Sequence, residues 1–188
     1  MCFLLNMHAF AQLKTIGTPY IKNYSTDDYQ NKDVAASTQN WDIFQDEKGI
    51  MYFANTNGVL IFDGKYWSRV NAKRNPTIRS IQGGADNKIY VGAKRELGYI
   101  SNSKQGSLKY YSLRHLVSEK NKKFNDVWNV YSIDNKIAFE TSQNLFIYDG
   151  KQIKSLPAKG QFTGSFKKNG ALFLFDNETG LVKLSNGR

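Results

Sequence analysis

Apolar positions along the chain come in short runs instead of long stripes. Asn40 to Gln45, Ile50 to Asn55, Val59 to Phe62 and Tyr66 to Val70 are rich in aromatic and β-branched residues, and Lys48-Gly49, Asn57-Gly58 and Asp63-Gly64 separate them. Runs of this kind predict strands, and the dipeptides between them supply the positive φ of tight hairpin turns. The four segments therefore predict one antiparallel meander. No stretch keeps an apolar period near 3.6 residues long enough to predict a confident helix.

The same unit returns along the chain. After Trp41 to Gly64 it recurs as Ile78 to Ile100, as Trp128 to Gly150 and as Phe162 to Leu184. Aligned on Tyr52, Tyr90, Ala138 and Leu172, the copies stand 38, 48 and 34 residues apart, and the longest interval holds the polar insertion Ser118 to Asn125. Periods of roughly 40 to 50 residues with four strands each are those of propeller blades. The expected fold is all-β: a β-propeller of about four consecutive four-stranded antiparallel blades, near residues 40–75, 76–115, 126–157 and 160–188. A blade buries its two faces against neighbours. The last copy stops at the turn Ser185 to Arg188, so the expectation is an incomplete fragment of a larger ring of six to eight blades. Residues 12–39 form a lead-in, and Tyr20 to Tyr24 could add a strand that closes a four-bladed ring instead.

Charge and rare residues narrow the chemistry. The formal net charge is +10, but Lys73-Arg74, Lys94-Arg95, Lys120 with Lys122-Lys123, and Lys167-Lys168 lie beside turn signals. They read as solvated turn residues, so no nucleic-acid contact is expected of this region. With Cys2 the only cysteine and His8 and His115 the only histidines, thiolate metal sites, zinc motifs and Cys/His nucleophile pairs lack their parts. No cofactor and no metal are expected. Residues 1–11 end in Ala9-Phe10-Ala11, the small-x-small pattern of a signal-peptidase site, without a basic n-region; they read as a truncated leader, which implies export. Later segments fall short of the roughly 18 apolar residues of a membrane span.

The copies resemble the two-component regulator propeller repeat. Trp41 to Asp46 through Asp63-Gly64 follows its pattern almost throughout, and Gly17 to Ser25 with Asp28-Tyr29 resembles the segment before the first blade in Bacteroidetes-type sensor regulators. The second copy matches through Ile89 to Gly92, then departs at Ala93 to Gly98. The third and fourth are weaker, with Ala138 in place of an aromatic and Gly164 in the inner strand. The resemblance implies a periplasmic, ligand-sensing region followed by a triple-tyrosine domain, a membrane helix and a histidine kinase or helix-turn-helix output domain. The implied partners are a small-molecule or oligosaccharide ligand and those downstream domains, with room for a homodimer of the full-length protein.

The first strand of each blade lines the central channel, so residues that open those strands sit near one mouth. Trp41, Asp42, Arg79, Trp128 and Asn129 are the candidate ligand-binding residues there. Indole rings and a guanidinium at a concave mouth suit a sugar face or a carboxylate; the plainer reading packs the tryptophans between blades and pairs Arg79 with an aspartate. Glu96 reads as a solvated hairpin charge, and His115 as a structural residue of a short insert. Acid catalysis needs two carboxyl groups about 5 to 9 Å apart across one cleft. Asp42, Asp46, Asp86, Asp126 and Glu140 are available, but most stand in turns, and no catalytic residue is expected. The leading expectation is a non-catalytic sensory module. The competing one is a secreted propeller that binds or acts on carbohydrate.

Overall fold

A computed structural model describes residues 17, 21–29 and 36–184. The leader reading at 1–11 and the terminal turn 185–188 lie outside the described residues. Among the described residues, fifteen strands follow a four-residue helix, α1 (Thr26–Tyr29), and they form four antiparallel sheets in strict chain order. The first holds β1 (Asn40–Gln45), β2 (Met51–Asn55), β3 (Gly58–Phe62) and β4 (Trp67–Val70). The second holds β5 (Ile78–Gly83), β6 (Ile89–Ala93), β7 (Glu96–Asn102) and β8 (Leu108–Ser112). The third holds β9 (Asn129–Ile133), β10 (Lys136–Glu140), β11 (Asn144–Tyr148) and β12 (Ile153–Pro157). The fourth has three strands, β13 (Phe162–Lys168), β14 (Ala171–Asp176) and β15 (Gly180–Leu184).

Turn chemistry dictates these meanders. Asp134-Asn135 and Asn169-Gly170 adopt positive φ at both positions, the geometry of a two-residue hairpin whose twist matches its strands. In blades one and three, Asp63 and Asp149 each accept backbone N–H bonds from the residues two and three further on. Those bonds hold both carboxyls below the ordinary aspartate range, and both residues turn the chain from third strand to fourth.

The sheets stack like blades about an axis. β1 lies against β5, and β5 against β9, while Tyr131 of β9 and Ser165 of β13 share a hydrogen bond of 2.8 Å. Three apolar clusters fill the junctions. Tyr52, Ala54, Val59 and Ile61 of blade one meet Ile81, Val91 and Ile100 of blade two. Tyr90 and Leu97 meet Val130, Phe139 and Phe146 of blade three. Ala138, Leu145 and Ile147 meet Leu172, Leu174 and Leu184 of blade four. The architecture is thus an unclosed arc of a β-propeller.

Two details differ from the sequence expectation. Tyr52, Tyr90 and Ala138 face forward to the next blade, but Leu172 faces back into the third junction; Phe173 takes the forward position. Blade four therefore matches the earlier blades at Phe173 and not at Leu172, since a shift of one residue exchanges the faces of a strand. Residues 21–25 form no strand. The lead-in instead covers the outward face of blade one: Tyr29 and Ala36 bury Leu60, and Tyr24 meets the rings of Phe62 and Trp67 edge-on.

The forward face of blade four has no such cover among the described residues. Phe166 stacks on Phe173 at 5.1 Å, and Phe166, Phe175 and Leu181 are 39%, 45% and 54% exposed. Contiguous apolar area of this kind favours association. The chain is expected to self-associate with rising concentration, and the double substitution Phe175→Lys with Leu181→Lys to abolish it. Sedimentation velocity decides: a wild-type monomer at every concentration would contradict the open face.

Candidate functional site

Trp41, Arg79 and Trp128 occupy the same place in three successive blades, where the inner strand begins. The fold brings their side chains together. The Arg79 guanidinium lies 3.9 Å from the centroid of the Trp41 ring system and 5.0 Å from that of Trp128, within the reach of a cation–π contact. The indoles themselves are 41% and 44% exposed, so the stack presents aromatic surface to solvent. Thr56 accepts the Trp41 indole N–H at 3.2 Å, and the Trp128 backbone N–H donates to the Glu140 carbonyl at 2.8 Å.

Asp126 completes the cluster. Its Oδ1 stands 3.5 Å from Arg79 Nε, an ion pair too long for a good hydrogen bond. Arg79 Nε and Nη1 and Asp126 Oδ1 are buried with no hydrogen-bond partner among the described residues. Asp126 also pairs with Lys94 through the backbone, which ties the connection between blades two and three to the turn between β6 and β7.

Asp42 and Asn129 face other tasks. Both Asp42 oxygens are engaged: Oδ1 accepts the Ile43 N–H at 2.8 Å and Oδ2 the Ile81 N–H at 2.9 Å. The second bond clips blade one to blade two where β1 is irregular between Asn40 and Asp42. Asn129 donates from Nδ2 to Glu140 Oε2 at 3.0 Å and, more weakly, to Ser165 at 3.4 Å. The Ser165 hydroxyl donates to the same Glu140 oxygen, leaving its own oxygen free to accept from Tyr131. Glu140, 3% exposed, is thus held by neutral partners among the described residues. Burial pushes its carboxyl above the ordinary glutamate value, against the pull of Ser165 and Asn129.

The sequence listed Glu140 only as an available carboxylate. Its distinction is visible on comparing repeats: the equivalent positions, two residues after the forward-facing Tyr52, Tyr90 and Phe173, are Ala54, Gly92 and Phe175, none with a polar side chain. The sign of its pH effect follows from linkage. A carboxyl raised in the folded state binds more protons there than when unfolded, so its favourable contribution is complete below the unfolded glutamate value and fades as pH rises through the folded one. Glu140→Gln is expected to flatten that decline and leave stability at neutral pH equal or higher. Urea unfolding of both proteins from pH 4 to 8 checks it, and parallel curves would contradict it.

Glu96 corrects the expectation of a solvated charge. It is 7% exposed, and its Oε1 accepts from Ser112, from the Leu97 N–H and from Tyr110. Burial pushes the Tyr110 phenol well above its ordinary value. His115 is exposed in a 3-10 turn, Arg114–Leu116, of the insert that precedes blade three. Among the described residues no group of three or more His, Cys, Asp or Glu could hold a metal, and no helix is long and apolar enough to cross a membrane.

Neither a protein-family model nor a curated protein matches the chain. Solved structures do match it in fold. The extracellular domain assigned to a hybrid two-component system of B. thetaiotaomicron is 12% identical with a TM-score of 0.59, over 85% of this chain and 22% of that one. A second such extracellular domain from B. thetaiotaomicron is 12% identical with a TM-score of 0.53, over 76% and 22%. A catalytically inactive virginiamycin B lyase from Staphylococcus aureus is 12% identical with a TM-score of 0.55, over 78% and 55%. The chain therefore spans about half the length of the lyase and about a fifth of the sensor domains. At these identities the likeness is one of fold, and the fold serves both sensors and an enzyme.

Proposed function

We propose that the chain is the extracytoplasmic ligand-sensing part of a bacterial signalling protein, with more blades and an output domain in the same polypeptide. The observation that carries this reading is the stack of Trp41, Arg79 and Trp128. Three consecutive repeats contribute one member each to a solvent-facing cluster of two indoles around a guanidinium. Aromatic faces with one fixed charge suit a sugar ring or a carboxylate, and a ligand bridging several blades can bias their relative arrangement. The fold shared with extracellular sensor domains supports the same role, and so does the repeat pattern read from Trp41 to Gly64.

Tryptophan fluorescence tests the proposal. Neutral and uronic-acid oligosaccharides are titrated into the wild-type chain and into Arg79→Ala. A saturable change that is lost in Arg79→Ala, with the sugar recovered intact, is the expected result. No response to any member of either series, or cleavage of the sugar, would overturn it. Arg79→Ala also leaves the buried Asp126 unpaired, and a cost of about 1 to 3 kcal/mol is expected on that ground; thermal unfolding measures it.

A further inference from the structure

A second candidate site lies between blades two and three, at the opposite end of the strands from the tryptophan stack. There an open cleft of about 340 Å³ is lined by Asp86, Tyr90, Asn135, Tyr148, Asp149 and Gly150, among others. The residues come from the turn before β6, the turn between β9 and β10, and the turn after β11. The corresponding notch between blades three and four is different: Ile133, Lys136, Ala138, Ile147 and Leu184 line it, and it has no room for a water molecule.

Apart from the Asn135 amide, the polar side chains that line the larger cleft present acceptors. The Tyr90 hydroxyl donates its proton to Asp86 Oδ2 at 2.9 Å, and the Tyr148 hydroxyl donates to the Gly150 carbonyl at 2.8 Å. Both phenol oxygens therefore keep only lone pairs to offer. Burial raises both phenols above their ordinary value, so they stay neutral. The two carboxylates stay charged. Backbone N–H groups of Gln152 and Lys151 hold Asp149 low, and for Asp86 the hydrogen bonds from Lys88 and Tyr90 outweigh the opposing effect of burial.

The molecule already places one ammonium in these surroundings. Lys88 Nζ is 2.5 Å from Asp86 Oδ2 and 5.0 Å from the Tyr99 centroid. Asp149 has no such partner, since no cation pairs with it among the described residues. A cleft with one uncompensated carboxylate, two phenol oxygens and few donors matches a group that only donates. A primary ammonium is that group, with three N–H donors and no acceptor, whereas a sugar hydroxyl needs donors and acceptors alike.

We propose that this cleft is a binding site for a small molecule bearing a primary ammonium group, anchored by Asp149 with Tyr90 and Tyr148 as neutral acceptors. The site is separate from the tryptophan stack. The test is an NMR titration of the ¹⁵N-labelled chain with n-butylammonium, and with n-butanol as an uncharged probe of the same length. Saturable shifts at Asn135, Asp149 and Gly150 are expected with the amine and not with the alcohol. Asp149→Asn, which keeps the oxygen that caps the turn, is expected to weaken binding by about tenfold, the scale of a charge-assisted contact. Arg79→Ala is expected to leave it unchanged. Equal shifts with butanol, no saturable shift with the amine, or undiminished binding by Asp149→Asn would each overturn the proposal.

Discussion

Truncating Phe139 to alanine is expected to destabilise the chain by about 3 to 5 kcal/mol. Phe139 stands in the middle of β10 and is 0% exposed. Its ring points back into the junction with blade two, beside Val130, Leu97 and Phe146, and lies 6.2 Å from the Tyr90 ring in an edge-on contact. Removing it discards its transfer energy and opens a cavity that two stacked sheets cannot close without parting. The loss should appear as a lower urea midpoint with an unchanged slope. Phe139→Leu, which keeps most of the volume, is expected to cost less than half as much. Loss below 1 kcal/mol in Phe139→Ala would mean that blades two and three do not share a tightly packed core.

The second large effect is expected at Asn55. Its side chain is 0% exposed and ties the end of β2 to the lead-in. Nδ2 donates to the carbonyls of Ser37 and Gln39 and to Asn40 Oδ1; Oδ1 accepts the N–H groups of Ser37 and Asn57. Asn55→Ala strips these partners at once, and some regain water because Gln39 and Asn40 are exposed. A net cost of about 2 to 3 kcal/mol is expected, since unsatisfied buried groups are costly but not additive. The loss should come with faster amide exchange at Ser37 and Ala36, and with release of the cover over Leu60. Unchanged exchange there would show that Asn55 serves only its own turn.

Much of this was legible in the sequence because turn chemistry is local. Asp63-Gly64, Asp134-Asn135 and Asn169-Gly170 mark chain reversals by backbone requirements that no distant contact overrides. The convergence of Trp41, Arg79 and Trp128 was legible for a related reason: equal positions in stacked repeats come together. Side-chain commitments were not. Nothing in the order of residues says that both oxygens of Asp42 are consumed by backbone N–H groups, or that Glu96 turns inward to Ser112 and Tyr110. Those outcomes depend on which strand lies alongside. The face of β14 is not legible at Leu172 because Leu172, Phe173 and Leu174 are all apolar, so alternation gives no phase. A closing strand at Tyr20 to Tyr24 was the alternative to a larger ring; the described rings of the lead-in instead pack over Phe62 and Trp67.

The reading of the chain as an arc of blades also explains where chemistry can reside. Junctions between blades are apolar along most of their length, apart from the contacts of Tyr131 and Glu140 with Ser165, and open into polar groups at the two ends of the strands. One end holds the indole and guanidinium stack, and the other holds the acceptor-lined cleft. Function in such an architecture is set by a few strand-end and turn residues, while the interior only maintains their spacing.

The central claim is that the openings of β1, β5 and β9 converge on Arg79, and a pair of double-mutant cycles tests it most directly. Trp41→Leu and Trp128→Leu are each combined with Arg79→Met, and stability is read by urea unfolding. Each tryptophan is predicted to couple to Arg79 by about 0.5 to 2 kcal/mol, the range of a partly desolvated cation–π contact. Additivity in both cycles, within about 0.3 kcal/mol, would contradict the convergence and with it the radial arrangement of the blades.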